Sequence, residues 1–126
     1  MEAEELMIGD WVSWAGEHNL KVRGTAEEEC WFGLDAVCDL IPNEELLPIP
    51  LTPEILEKNG FERRGGISYH KSIAGLIIAH WNDELCFLNY SKKNIPSIMI
   101  PFHYVHELQH ALRLCGLTEL VDNFKV

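Results

Sequence analysis

Short apolar runs separated by turn residues, one short helix with clear start and stop signals, and one amphipathic C-terminal helix predict an α+β fold of short antiparallel strands with two helices. The opening run Met7–Trp14 is entered through Gly9-Asp10 and reads as a strand. Ala15–Asn19 reads as a turn into a second strand, Leu20–Gly24. Two further short strands, Glu29–Gly33 and Ala36–Ile41, suggest a curled sheet closing as an SH3-like small barrel in the N-terminal half. Pro48 and Pro50 hold the segment 47–51 extended. Thr52-Pro53-Glu54 then starts a helix, with threonine as N-cap, proline in the first turn and Gly60 as a left-handed stop. Phe61–Arg64 and Ile67–His70 form a hairpin around Gly65-Gly66. Strands at 74–81 and 85–90 flank Asn82-Asp83-Glu84, and Ser97–Ile100 adds one more, so the C-terminal half is a β-meander. The last helix is expected from His103 to Cys115, with Gly116 as its stop. Val105, Leu108, Leu112 and Cys115 share one face, and His103, His106, His110 and Arg113 gather on the other, which is expected to be solvated. The Pro-rich link divides an acidic subdomain, residues 1–50, from residues 51–126.

The chain has 126 residues, 47% hydrophobic and 24% charged, which is enough apolar material for a buried core. It contains no apolar run long enough for a membrane helix, and its first residues are acidic where a signal peptide is basic. A cytoplasmic protein is expected. Cys30, Cys38, Cys86 and Cys115 lack a Cys-x-x-Cys pair and are expected to be reduced thiols. Residues 1–57 carry 14 acids and 2 bases, whereas residues 58–126 carry 6 acids and 8 bases. The acidic half repels phosphate backbones, so direct DNA binding is not expected; its charge serves either solubility or the docking of a basic partner protein.

His106-Glu107-Leu108-Gln109-His110 matches the H-E-x-x-H pattern of zinc peptidases, in which two imidazoles bind the ion and the glutamate activates its water. A third ligand is wanting: Arg113 and Gly116 stand where the extended pattern places glycine and histidine. His103 lies seven positions from His110, about 10.5 Å along a helix, too far for both rings to share one ion. No metal and no cofactor are expected. A small zinc hydrolase using His106, His110 and Glu107 is the enzymatic alternative.

Two segments, Pro48–Phe61 (PIPLTPEILEKNGF) and Tyr104–Gly116 (YVHELQHALRLCG), with the Met7–Val12 opening, resemble a widespread group of small, mostly uncharacterised proteins of gut bacteria, their prophages and phages. The resemblance covers about a third of the chain. It implies a non-catalytic tail helix and a mobile-element context, and by analogy a role in countering host defence.

Trp11, Trp14, Trp31 and Trp81 are many tryptophans for this length, and alternation puts Trp11 and Trp14 on opposite faces of one strand. An exposed indole near a cation is a stacking platform for a purine, with Arg63, Arg64, Lys71, Lys92 and Lys93 as candidate cations. The expected ligand set is Trp11, Trp14, Arg63, Arg64, Tyr69, His103, His106, His110 and Arg113. No P-loop, Gly-x-Gly-x-x-Gly or Gly-x-Ser-x-Gly motif occurs. The leading expectation is a non-enzymatic counter-defence protein, a homo-oligomer, that sequesters a nucleotide-type immune signal. An acidic, nucleic-acid-mimicking inhibitor of a host defence protein is the alternative.

Overall fold

The computed structural model describes residues 1–16, 18–34, 37–64, 68–72, 76–81, 86–92 and 95–126, with backbone alone over 33–34, 37–39, 76–81, 86–92 and 95–101. The fold is α+β, built from short antiparallel strands and short helices. Contacts divide it into two compact units, Met1–Pro50 with Tyr104–His106, and Leu51–His103 with Glu107–Val126.

In the first unit, β1 (Trp11–Trp14) pairs on one side with β2 (His18–Lys21) and on the other with β6 (Leu46–Pro48). A second three-stranded sheet joins β3 (Gly24–Thr25), β4 (Glu29–Leu34) and β5 (Val37–Pro42). The expected closed barrel is not formed among the described residues. The chain changes sheets within two residues: the Val22 N–H donates to Asp10 O and the Arg23 N–H to Trp31 O, both at 2.8 Å. β3 is too short to carry a ladder around a barrel wall. The opening strand is also shorter than expected, because Met7–Asp10 is a turn. The Asp10 carboxylate accepts the Met7 N–H at 2.9 Å, the Asp10 N–H donates to Met7 O at 3.1 Å, and Gly9 takes a φ of 96°.

Alternation sets the core of this unit. Leu6, Val12, Val22, Cys30, Phe32, Ile41 and Leu46 form one buried cluster, with Trp14 and Leu20 packed on its margin. Each fully buried side chain of this size contributes about 1.5–3 kcal/mol.

In the second unit, α1 (Pro53–Lys58) follows the predicted signals closely. Thr52 Oγ1 accepts the Ile55 N–H at 3.3 Å, and Pro53 occupies the first helical position. At its end the Gly60 N–H donates to Glu57 O and the Phe61 N–H to Leu56 O, a Schellman closure that needs the left-handed Gly60 at φ 82°.

The expected meander is present: β7 (Glu62–Arg64), β8 (Ser68–Ser72), β9 (Leu76–Trp81), β10 (Cys86–Lys92) and β11 (Ile95–Phe102) pair sequentially, all antiparallel. The predicted turns at Gly65-Gly66 and Asn82–Glu84 lie outside the described residues. β11 is longer than the strand expected at 97–100, with a register shift between Tyr90 and Lys92 on its partner.

The expected C-terminal helix is α2 (Val105–Leu114), which starts two residues later than expected. Glu107 accepts the His103 N–H at 3.1 Å, reaching back as a first-turn glutamate does at a helix start. Gly116 stops α2 as predicted, at φ 77°, with the Leu117 N–H on Leu112 O and its own N–H on Arg113 O. A third helix, α3 (Thr118–Asp122), follows at once and was not anticipated, because five residues carry too little periodicity to register. Among the described residues no helix is long and apolar enough to cross a membrane.

Candidate functional site

The first unit carries an open cleft of about 860 Å³ lined by Glu2, Glu27, Glu28, Glu29 and Glu44 together with Met1, Ala3, Ala26, Pro42 and Asn43. Two turns build it, the one joining β3 to β4 and the 3-10 turn Asn43–Glu45 after β5. A buried amide fastens one to the other. Asn43 is only 5% exposed. Its Nδ2 donates to Glu27 O at 3.4 Å, its N–H donates to Glu28 O at 2.9 Å, and its Oδ1 accepts from Cys30 Sγ at 3.2 Å. The N-terminal ammonium donates to Asn43 O at 2.7 Å and Leu46 O at 3.2 Å. Both turns are therefore held by backbone bonds to one residue, which keeps Glu27, Glu28 and Glu44 on neighbouring turns despite their like charge.

Burial, and after it the negative charge of Asp10, pushes the Cys30 thiol up from its ordinary value, with the N-terminal ammonium pulling the other way. At neutral pH Cys30 is a protonated donor to Asn43, a structural rather than a nucleophilic role. Cys115 is pushed up by burial. Both are free thiols, and the side chains of Cys38 and Cys86 lie outside the described residues.

The residues expected to hold a nucleotide are distributed over both units. Trp11 and Trp14 stand on opposite faces of β1, as alternation requires, and both are half-buried. Trp14 is the core-side indole, with its ring centroid 5.8 Å from that of His18. In the second unit Arg63 and Arg64 are exposed on the edge strand β7, where Arg64 pairs with Glu62 at 3.3 Å. Tyr69, opposite Arg63, is 3% exposed and so presents no ring face for stacking. Lys71 is not a phosphate ligand in this arrangement: its Nζ donates to Asn59 O at 2.6 Å, placing a cation at the C-terminal end of α1, where the helix dipole favours it. Lys93 lies outside the described residues, as do the side chains of Lys92 and Trp81.

The histidines do not form the expected solvated stripe. His106 is 5% exposed, buried within α2 rather than solvated, and its ring stacks on Tyr104 with centroids 6.0 Å apart. His103 is exposed, and His110 and Arg113 are partly so. Val105, His106, Leu108, Gln109, Ala111 and Leu112 are all buried, an arc of roughly 220° at about 100° per residue. The sequence pattern marks only the aliphatic part of that arc, because histidine and glutamine count as polar in any periodicity. Among the described residues no three His, Cys, Asp or Glu side chains gather as a metal-holding group. Within the HELQH segment His106 is buried, and Glu107 accepts the His103 N–H.

Three features escaped sequence reading. Nothing in the local sequence reveals the buried bonding partners of Asn43 and Asn59. Trp31 is 45% exposed, and the alternation of buried Cys30 and Phe32 around it is the signal that sets it outward. Comparison with protein-family models, with curated proteins and with solved structures gives no match to this chain.

Proposed function

We propose that this chain acts by binding rather than catalysis, and that its N-terminal unit docks on a basic surface of a partner protein through the cleft lined by Glu2, Glu27, Glu28, Glu29 and Glu44. The observation that carries this reading is that five glutamates line one concave surface whose two turns are joined through the buried Asn43. Such a surface steers a cationic partner and repels phosphate. It offers the negative charge that a nucleic-acid-binding protein recognises, in the manner of a nucleic-acid mimic. The resemblance to phage and prophage proteins favours a defence protein in the cytoplasm of a bacterial host as the partner class.

Calorimetric titration of the full chain with an oligo-lysine peptide tests the location of the site. Binding at low ionic strength is expected to weaken by about tenfold or more at moderate salt. Glu27→Gln with Glu28→Gln should weaken it several-fold more than Glu54→Gln with Glu57→Gln. The two pairs change net charge equally, but Glu54 and Glu57 are exposed in the other unit. Equal losses contradict docking at the cleft.

A nucleotide-type ligand is the second reading, favoured by the exposure of Arg63 and Arg64 at consecutive positions of edge strand β7, one on each face, in the half of the chain whose charge is balanced. Titration with a panel of cyclic and ADP-ribose-type nucleotides should then give heat that disappears when both arginines become alanine. No heat with any of them removes this reading.

A further inference from the structure

The outer face of the β3–β4–β5 sheet carries an apolar patch next to the acidic cleft. Trp31 and Leu40 are directly opposite each other on β4 and β5, and they are 45% and 59% exposed. Gly24 is opposite Trp31 on the other side. A Cβ added to Gly24 would lie 3.0 Å from Cε3 of the indole, so the ring lies along the sheet over a residue whose missing side chain makes room for it. Glu29 leaves the same face of β4 two residues earlier. It lines both the shallow depression of about 150 Å³ around Trp31 and the glutamate cleft. An exposed indole, an aliphatic neighbour and a carboxylate beside them make a surface that accepts a guanidinium over the ring, with the carboxylate balancing its charge.

Resting on the acidic docking reading above, we infer that Trp31 is the anchor of the interface and that it receives an arginine side chain of the basic partner. Charge complementarity decides the occupant. Residues 1–50 hold twelve acids and two bases, so a second copy seated on this face would bring like charge against like charge. An arginine-bearing protein surface brings the opposite sign, and buried tryptophan–arginine contacts are typical of the few residues that dominate interface affinity. The β3–β4 turn joins the two parts, since Ala26 and Glu29 border both the cleft and the depression.

The test is titration of the full chain with an oligo-arginine peptide at low ionic strength, comparing wild type with Trp31→Ala, Trp31→Phe and Gly24→Ala. Trp31→Ala should weaken binding by about five- to tenfold, and Trp31→Phe by less, because the smaller ring retains part of the quadrupole. Gly24 has no left-handed φ, so alanine fits its backbone and acts by displacing the indole, giving an intermediate loss. Far-UV circular dichroism establishes that each variant is folded, and Trp31→Phe carries the test alone if Trp31→Ala does not fold. Salt-sensitive binding that is unchanged in every folded Trp31 variant overturns the anchor and leaves the acidic cleft standing. No binding of oligo-arginine by wild type removes both. Loss of self-association in Trp31→Ala by sedimentation velocity, with peptide affinity unchanged, shows the face to be a contact between copies and overturns the arginine proposal.

Discussion

Phe32→Ala is expected to destabilise the protein by about 3–5 kcal/mol in urea denaturation, the range for an aromatic removed from a packed core. Phe32 is 2% exposed at the centre of the cluster that includes Val12, Val22, Cys30 and Leu46, side chains drawn from both sheets of the N-terminal unit. The two sheets do not close into a barrel, so side-chain packing must do what ladder closure would otherwise contribute. Phe32→Leu keeps most of the volume and should lose less than about half as much. A loss for Phe32→Ala below about 1 kcal/mol would mean that the site collapses freely, which a close-packed interior does not allow.

Asn59→Ala comes next in size, at about 2–4 kcal/mol, because one buried amide serves three backbone groups. Its Nδ2 donates to Ile55 O and Lys125 O, and its Oδ1 accepts the Lys125 N–H, all at 2.8 Å. Asn59 is 7% exposed, so the abandoned carbonyl of Ile55 has little access to water. The same residue's own carbonyl holds Lys71. Asn59→Asp separates the two functions of the side chain: it keeps the acceptor for Lys125 but places a carboxylate oxygen against two carbonyls. It should therefore be at least as harmful as alanine above the carboxyl's titration range and milder below it. Equal stability of Asn59→Asp and wild type at neutral pH would contradict the donor role of Nδ2.

Local signals in this chain were readable wherever they depend on backbone chemistry. Thr52, Pro53, Gly60 and Gly116 mark helix ends through φ preferences and capping that operate within five residues, and the structure uses all four as expected. The meander was legible for a similar reason, since sequential strands separated by short turns most simply pair with their neighbours. Closure was not legible. Whether a strand passes from one sheet to another at Val22 depends on the Asp10 turn, and that turn is held by a side-chain bond to Met7 that no alternation pattern reveals.

The candidate site was half legible. The charge asymmetry is in the composition, but the gathering of Glu2, Glu27 to Glu29 and Glu44 depends on Asn43 linking turns some fifteen residues apart. The histidine stripe was misplaced because burial follows the surroundings of a helix rather than its polarity pattern. His106 and Gln109 are buried although both are polar, and Leu114 is 75% exposed although it is aliphatic. Trp31 is the middle residue of Cys30-Trp31-Phe32 on a one-sided sheet, but the chain has four tryptophans and the sequence does not show which of them faces a glycine across the sheet.

The most direct measurement of the docking claim is a titration of the isotopically labelled full chain with an oligo-lysine peptide, followed amide by amide by heteronuclear NMR at low ionic strength. Saturable shifts concentrated at residues 2–3, 26–29 and 43–44, and fading as salt is raised, are the expected result. Shifts centred instead on residues 62–64 and 107–114, with the glutamate cleft silent, would contradict it.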